Sequence, residues 1–296
     1  MREKIDCFLP CLDVTALADT LSVMRQSGMV QHIHLLVSKD YAQQGHFPGD
    51  CNLVVVNDWT STDTILKIGQ YTDADYVLLG RGTDPFSLGL YALDRFLQVG
   101  EDSQAVMVYS DYDILEAGGR RLHHPVLDYQ EGSLRAQFDF GPLVLVRAQL
   151  LHDYAAQSPQ PAYQRAGWYD FRLFLSRQGH LFHLNEYLYA CLPAAVPSLA
   201  EDEAEMERAL AHHLSAVGAL LDASYYRQPD FDEQPFDTEA SVIIPVLNRE
   251  KTIADAIASA LGQKTSFAFN VIVVDNHSTD GTSQIVEEMA KGDRRL

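Results

Sequence analysis

The stretch Val274-Asp275-Asn276-His277-Ser278-Thr279-Asp280-Gly281-Thr282 decides how this chain is read. An apolar run from Asn270 to Val274 ends on an acid, and small polar residues then turn into a helix. In open α/β sheets, ligands bind in the crevice beyond the carboxyl ends of the strands. A carboxylate at that edge can accept hydrogen bonds from a nucleobase N–H, and Ser278, Thr279 and Asp280 suit the capping of the next helix. The plainer alternative is a polar turn without a ligand.

Upstream, Ala240-Ser241-Val242-Ile243-Ile244-Pro245-Val246-Leu247-Asn248 is another apolar strand pattern broken by proline and followed by a helix. The chain opens in the same way, with Ile5-Asp6-Cys7-Phe8-Leu9-Pro10-Cys11-Leu12-Asp13. The two stretches read as an internal repeat whose second copy reaches Leu296 after only strand, helix, strand and helix. Between them the first copy alternates. Apolar runs at Ile33–Val37, Asn52–Val56, Tyr76–Leu79 and Ala105–Tyr109 are separated by helical patterns, including Thr60–Gln70 and Leu88–Val99. That order predicts an α/β fold: a mixed, mostly parallel sheet with helices on both faces, plus a C-terminal partial repeat. From about Leu115 the texture turns irregular and aromatic, and reads as a second lobe on the same sheet. Ser198 and Glu201 form a capping box ahead of a helix whose face is Met206, Leu210, Leu214, Val217 and Leu221. The expected organisation is a domain over residues 1–225, a Pro- and Asp-rich linker over 226–238, and a domain fragment over 239–296.

Composition narrows the function. The chain is 47% hydrophobic, which argues for a folded core. Twenty-two basic against 41 acidic side chains leave a net charge of −19, which disfavours nucleic acid as a partner but leaves room for a locally positive pocket. Four scattered cysteines fit neither a disulfide framework nor a zinc motif and suggest a reducing, cytoplasmic setting. No apolar run reaches the length of a membrane span.

The two C-terminal motifs, in that order and at that spacing, resemble the start of family-2 glycosyltransferases, which carry a strand ending P-x-Y/F-N and then V-D-D/N-G-S-x-D. Here Leu247 stands for the usual aromatic and His277 for the usual glycine. Weaker similarities follow in order through the first copy: Asp73–Leu79, Val106–Asp113, Phe140–Leu151, Trp168–Leu175 and Phe182–Tyr189. The resemblance implies a GT-A fold (nucleotide-diphospho-sugar transferase), a nucleotide-sugar donor, and a glycan or lipid-linked acceptor in polysaccharide biosynthesis. It places nucleoside contacts at Pro245, Asn248, Asp275, Asn276 and Ser278, with Pro10 and Asp13 as their counterparts in the first copy. It also places the acceptor-activating base at Asp170, which could equally be a helix N-terminal acid.

The family's divalent metal, Mg²⁺ or Mn²⁺, is held by a D-x-D motif that should follow Leu79. The chain offers Gly80, Arg81, Gly82, Thr83 and Asp84 instead. Val37 and Ile65 stand where the family has its nucleoside acid and an arginine, so the first donor site reads as eroded. Arg81 is then the candidate for diphosphate counter-charge. Asp111-x-Asp113 spells the metal motif after the wrong strand, adjacent His123 and His124 point different ways, and His212 and His213 read as surface residues. A tandem glycosyltransferase is the leading expectation, with little or no transfer by the 296 residues themselves. A non-catalytic GT-A-like binding or scaffold module is the alternative, a nucleotidyltransferase a weaker third reading, and a homo-oligomer stays open.

Overall fold

The computed structural model describes residues 5–82, 85–116, 118–133, 135–157, 162–192, 203–227 and 238–296. Asp84, the Ser198–Glu201 capping box and most of the expected linker lie outside them. The chain divides into two compact units, Met1–Leu221 and Asp222–Leu296.

The first unit is built on β1 (Ile5–Pro10), β2 (Val30–Val37), β3 (Cys51–Val55), β4 (Tyr76–Gly80), β5 (Phe86–Leu88), β6 (Met107–Leu115), β7 (Arg121–His124), β8 (Leu143–Arg147) and β9 (Leu181–Cys191). Its sheet runs β3-β2-β1-β4-β8-β6-β9-β5, with β7 paired to β6. The β3-β2-β1-β4 half is wholly parallel, as is β6 against β9, while β8 enters antiparallel between β4 and β6. The mixed α/β architecture expected from the alternating pattern is therefore present.

Strand alternation sends neighbouring side chains to opposite faces. From β1, Ile5, Cys7 and Leu9 join one core with Leu21, Met24, Leu93 and Phe96 of α1 (Ala18–Gln26) and α4 (Ala92–Ser103), with α2 (Lys39–Gln44) lying between them in sequence. Phe8 points the other way, into a second core with Ile65, Ile68, Tyr154, Phe171 and Phe174 of α3 (Thr62–Tyr71), α5 (Gln149–Gln157) and α6 (Gly167–Gln178). Burying a side chain such as Phe8 completely contributes about 1.5–3 kcal/mol. Most of the aromatic residues that suggested a second lobe fill these two cores or pack against them, because β8 carries the chain back into the middle of the sheet.

Asp13 accepts from Thr15 N and Oγ1 in a turn, and α1 starts at Ala18. Two later elements differ from expectation. The chain forms β5 before α4, so the helix expected at Leu88 starts at Ala92. In α7 (Glu203–Ala216) the buried residues are Ala209 and His213, while Val217 and Leu221 are exposed. His213 is thus not a surface residue, because it accepts from Arg177 Nη1 at 2.7 Å on α6.

The second unit contains β10 (Ala240–Val246), α8 (Ile253–Leu261), β11 (Phe269–Asp275) and α9 (Thr282–Gly292). The two strands are parallel, with Pro245 opposite Val274 and Val246 opposite Asp275. Val246, Ile253 and Ile257 are buried, with Ile285 and Met289 packed against them.

Candidate functional site

At the carboxyl ends of β10 and β11, two loops are laced together by their own polar groups. Asn248, held at a positive φ of 52°, donates its N–H to Ser278 Oγ at 2.9 Å. Its Oδ1 accepts from Thr279 N at 2.8 Å. Asp275 Oδ1 accepts from Ser278 N at 3.0 Å, and Oδ2 accepts from the Ser283 hydroxyl. Asn276 N donates across the strands to Val246 O at 2.8 Å. The hydrogen bonds from Ser278 and Ser283 hold the Asp275 carboxyl below its ordinary range, so it is an anion at neutral pH. His277 stands where the motif carries glycine and adopts a φ of 61°, a region that favours glycine. Pro245, Asn248, Asp275, Asn276 and Ser278, named from the sequence as one site, therefore share one loop cluster at the ends of two parallel strands, and Pro245, Asn248 and Asn276 are exposed there.

The equivalent edge of the first unit has different chemistry. Pro10 ends β1 in a buried position, and Asp13 is committed to Thr15. Past β4, the Arg81 guanidinium lies 4.7 Å from the centroid of the Trp168 ring. Burial lowers the Arg81 pKa to about 10, partly opposed by Asp139. Arg172 nearby is lowered to about 9 by burial and by Arg81, and it donates to the carbonyls of Arg135, Ala136 and Phe138. Trp59, Thr60, Ile65, Gly80, Arg81 and Trp168 line a cavity of only about 30 Å³. Small-molecule sites span about 300–1,000 Å³, so this one has no room for a nucleoside.

The carboxylates expected to do chemistry are occupied. Asp170 sits in the first turn of α6 and is buried, with Oδ2 accepting from Tyr154 Oη at 2.7 Å and Oδ1 3.5 Å from His212 Nδ1. Trp168, two residues earlier, is the α6 side chain that lines the cavity. Asp111 accepts from Val126 N and pairs with His183 Nε2 at 2.9 Å. Asp113 pairs with His123 at 2.7 Å, and His124 pairs separately with Asp139. Gly80 and Gly82 carry no side-chain oxygen. The described residues of the first unit thus do not fit a Mg²⁺ or Mn²⁺ held by paired carboxylates after β4.

Sequence reasoning missed two features. One is Trp168, whose role depends on which way the first turn of α6 faces. The other is a group at the opposite end of β1 and β2: Asp6, His32 and His34, whose ligating atoms all lie within 4.8 Å of one another. The available signal was His32-x-His34 in an apolar strand, since residues two apart share a face.

Residues 241–296 match the model of Glycosyl transferase family 2. No curated protein matches the chain. Among solved structures, S. aureus TarS 1-349 is similar at 13% identity and a TM-score of 0.49, over 75% of this chain and 68% of that one. Glucosyl-3-phosphoglycerate synthase from Mycobacterium tuberculosis, solved with Mn²⁺, uridine diphosphate and glucosyl-3-phosphoglycerate, is similar at 13% identity and a TM-score of 0.45, over 75% and 82%. Mannosyl-3-phosphoglycerate synthase from Rubrobacter xylanophilus follows at 14% and 0.43, over 76% and 78%. At these identities none of them assigns a donor, an acceptor or a site residue to this chain. No helix among the described residues is long and apolar enough to cross a membrane.

Proposed function

We propose that this chain belongs to a glycosyltransferase that moves a sugar from a nucleotide-sugar donor to a glycan or lipid-linked acceptor in polysaccharide biosynthesis. The nucleoside is recognised by residues 239–296, and residues 1–225 form a GT-A-like domain with an eroded donor site. The observation that carries this reading is the loop cluster of Pro245, Asn248, Asp275, Asn276 and Ser278, in the segment that matches the family model. Asp275 is ionised, and each of its oxygens keeps a lone pair beyond the bond it already accepts. It can therefore take a nucleobase N–H without giving up the bonds that order the loop. Asn248 and Ser278 fix the loop that presents it.

A specific observation favours the non-catalytic reading for the first unit. Arg81 is stacked over Trp168, the cavity between them and Ile65 is only about 30 Å³, and Asp170 is spent on Tyr154. In this reading Pro10, Asp13 and Arg81 contact no donor. The first unit serves as a scaffold or acceptor-binding module, and transfer requires a complete donor site supplied with the second unit.

Calorimetric titration of uridine, guanosine and thymidine diphosphates into the 296-residue chain tests both parts. One nucleotide should bind, and Asp275→Asn should weaken it at least about tenfold, since a lost hydrogen bond to a charged group is worth about 1.5–3 kcal/mol. Arg81→Ala should leave that affinity unchanged. No binding by any of the three, or equal binding by Asp275→Asn, would overturn the nucleoside site. Loss of binding in Arg81→Ala would instead return the donor site to the first unit.

A further inference from the structure

Asp6 lies on β1 directly beside His32 of β2, and His34 follows two residues along the same face of the sheet. The Asp6 side chain is fully buried. Its Oδ1 accepts from His32 N at 3.1 Å and lies 3.1 Å from His32 Nδ1. Its Oδ2 accepts from Thr72 Oγ1 at 2.8 Å and from Asp73 N at 3.3 Å. Among the described residues no Lys or Arg pairs with it, so His32 alone stands against a buried carboxylate.

His34 is the second, independent feature. It is 3% exposed, its ring is stacked on Phe8 at 4.3 Å, and neither ring nitrogen has a hydrogen-bond partner. An unpaired buried polar group is costly, and proteins rarely leave both nitrogens of one imidazole unmet.

We propose that Asp6, His32 and His34 form a binding site for a first-row transition-metal dication, with Zn²⁺ as the best match. The site sits at the amino-terminal edge of the first unit's sheet and does not depend on the proposed nucleotide loops. Two imidazoles and one carboxylate are the borderline donor set that Zn²⁺ takes, whereas Mg²⁺ and Ca²⁺ prefer oxygen. Tetrahedral ligands at about 2.1 Å from an ion stand about 3.4 Å apart. The three ligating atoms already lie within 4.8 Å, and His32, whose side chain is 43% exposed, is free to turn the remaining distance. Thr72 and the Asp73 N–H orient the carboxylate from behind, the arrangement that ligating carboxylates require. A cavity of about 530 Å³ lined by His32, His34, Asn52, Tyr71 and Asp73 opens onto the group, leaving a fourth position for water or for the Asp73 carboxylate. The ion would tie β1, β2 and the turn between α3 and β4 together.

The test is calorimetric titration of Zn²⁺ into the chelator-stripped chain, with Co²⁺ absorption as a second readout of coordination and thermal unfolding as a third. One ion should bind per chain, raise the unfolding temperature, and give the strong visible bands of a low-coordinate Co²⁺ site. His32→Ala changes an exposed side chain and should weaken binding at least about 100-fold, beyond the loss expected for an outer-shell partner. His34→Phe keeps the stack on Phe8 and should also abolish the stoichiometric ion. The chain has 11 histidines, so location matters as much as affinity. Absence of a stoichiometric ion, or one that survives both substitutions, would overturn the site. Survival with loss in His123→Ala or His124→Ala would place the ion elsewhere.

Discussion

A carboxylate in the first turn of a helix can serve the helix dipole, a neighbour or a substrate, and its surroundings decide which. Asp170 has α5 on one side and α7 on the other, and the Tyr154 hydroxyl donates to it inside the core. Burial and the adjacent Asp170 both push the Tyr154 pKa far upward, so that hydroxyl keeps its proton and needs an acceptor. Asp170→Ala removes that acceptor and should cost about 1–3 kcal/mol of stability. Asp170→Asn, which retains an acceptor oxygen, should cost less. Both should leave nucleotide affinity unchanged. Urea denaturation and the same calorimetric titration check the two statements, and a binding defect without a stability defect would place Asp170 at a nucleotide site. The local sequence around Asp170 fits either reading, because what separates them is Tyr154, 16 residues away, and a helix facing that only the packed core defines.

Elements differ in how far local sequence determines them. Strand β1 is legible because Ile5, Cys7, Phe8 and Leu9 are apolar on both faces, as an interior parallel strand requires. Strand β6 is read short because its second half contains Ser110, Asp111 and Asp113, and the two buried aspartates are met by His183 and His123 of other strands. Helix α6 depends on remote residues too. Glu205 of α7 accepts from the N–H groups of Gln164, Arg165 and Ala166 just before α6, a cap that no local motif announces. Gly167 lets α6 approach α3, since a Cβ there would meet Thr62 N at 2.1 Å. The α6–α7 contact also contains a titratable group. Burial, then Arg177, lowers the His213 pKa from its ordinary 6.5, with the Leu173 carbonyl and Asp170 opposing and His212 adding to the lowering. The unfolded chain therefore takes up that proton first as pH falls. The stability His213 contributes is full above pH 6.5 and declines as pH drops below 6.5 toward the lower folded value. Hydrogen exchange in α7 should accelerate relative to β1 between pH 7 and about pH 5. His213→Gln should remove that pH dependence, and an unchanged profile in the variant would refute the assignment.

At the scale of the whole chain, the two units are built to different depths. In the first, helices cover both faces of the sheet, and Cys7, Phe8, Val77 and Leu78 are fully buried. In the second, α8 and α9 pack over Ile244, Val246 and Val273, while Ile243, Ile272 and Val274 on the opposite face of the same two strands are 63%, 43% and 50% exposed. The sequence shows these residues only as apolar, because strand periodicity tells which share a face and not whether that face is covered. A small sheet covered on one side buries too little surface to resist opening strongly. Amides of Val242–Ile244, Val246 and Val271–Val273 should therefore exchange at least about 100-fold faster than those of Cys7–Leu9 and Val77–Leu79, with local opening free energies well below the global value. The polar lacing between the β10 and β11 loops ties the second unit together at the carboxyl ends of its strands. If the nucleotide binds at Asp275 as proposed, it binds the folded loops, so it should slow exchange in β10 and β11 by a factor that grows with its concentration, and leave β1 and β4 unaffected. Hydrogen-exchange mass spectrometry with and without the nucleotide reads both effects. Equal protection of all four strands in the free chain would show that the exposed face is not the weak point, and slowing confined to β1 and β4 would move the ligand to the first unit.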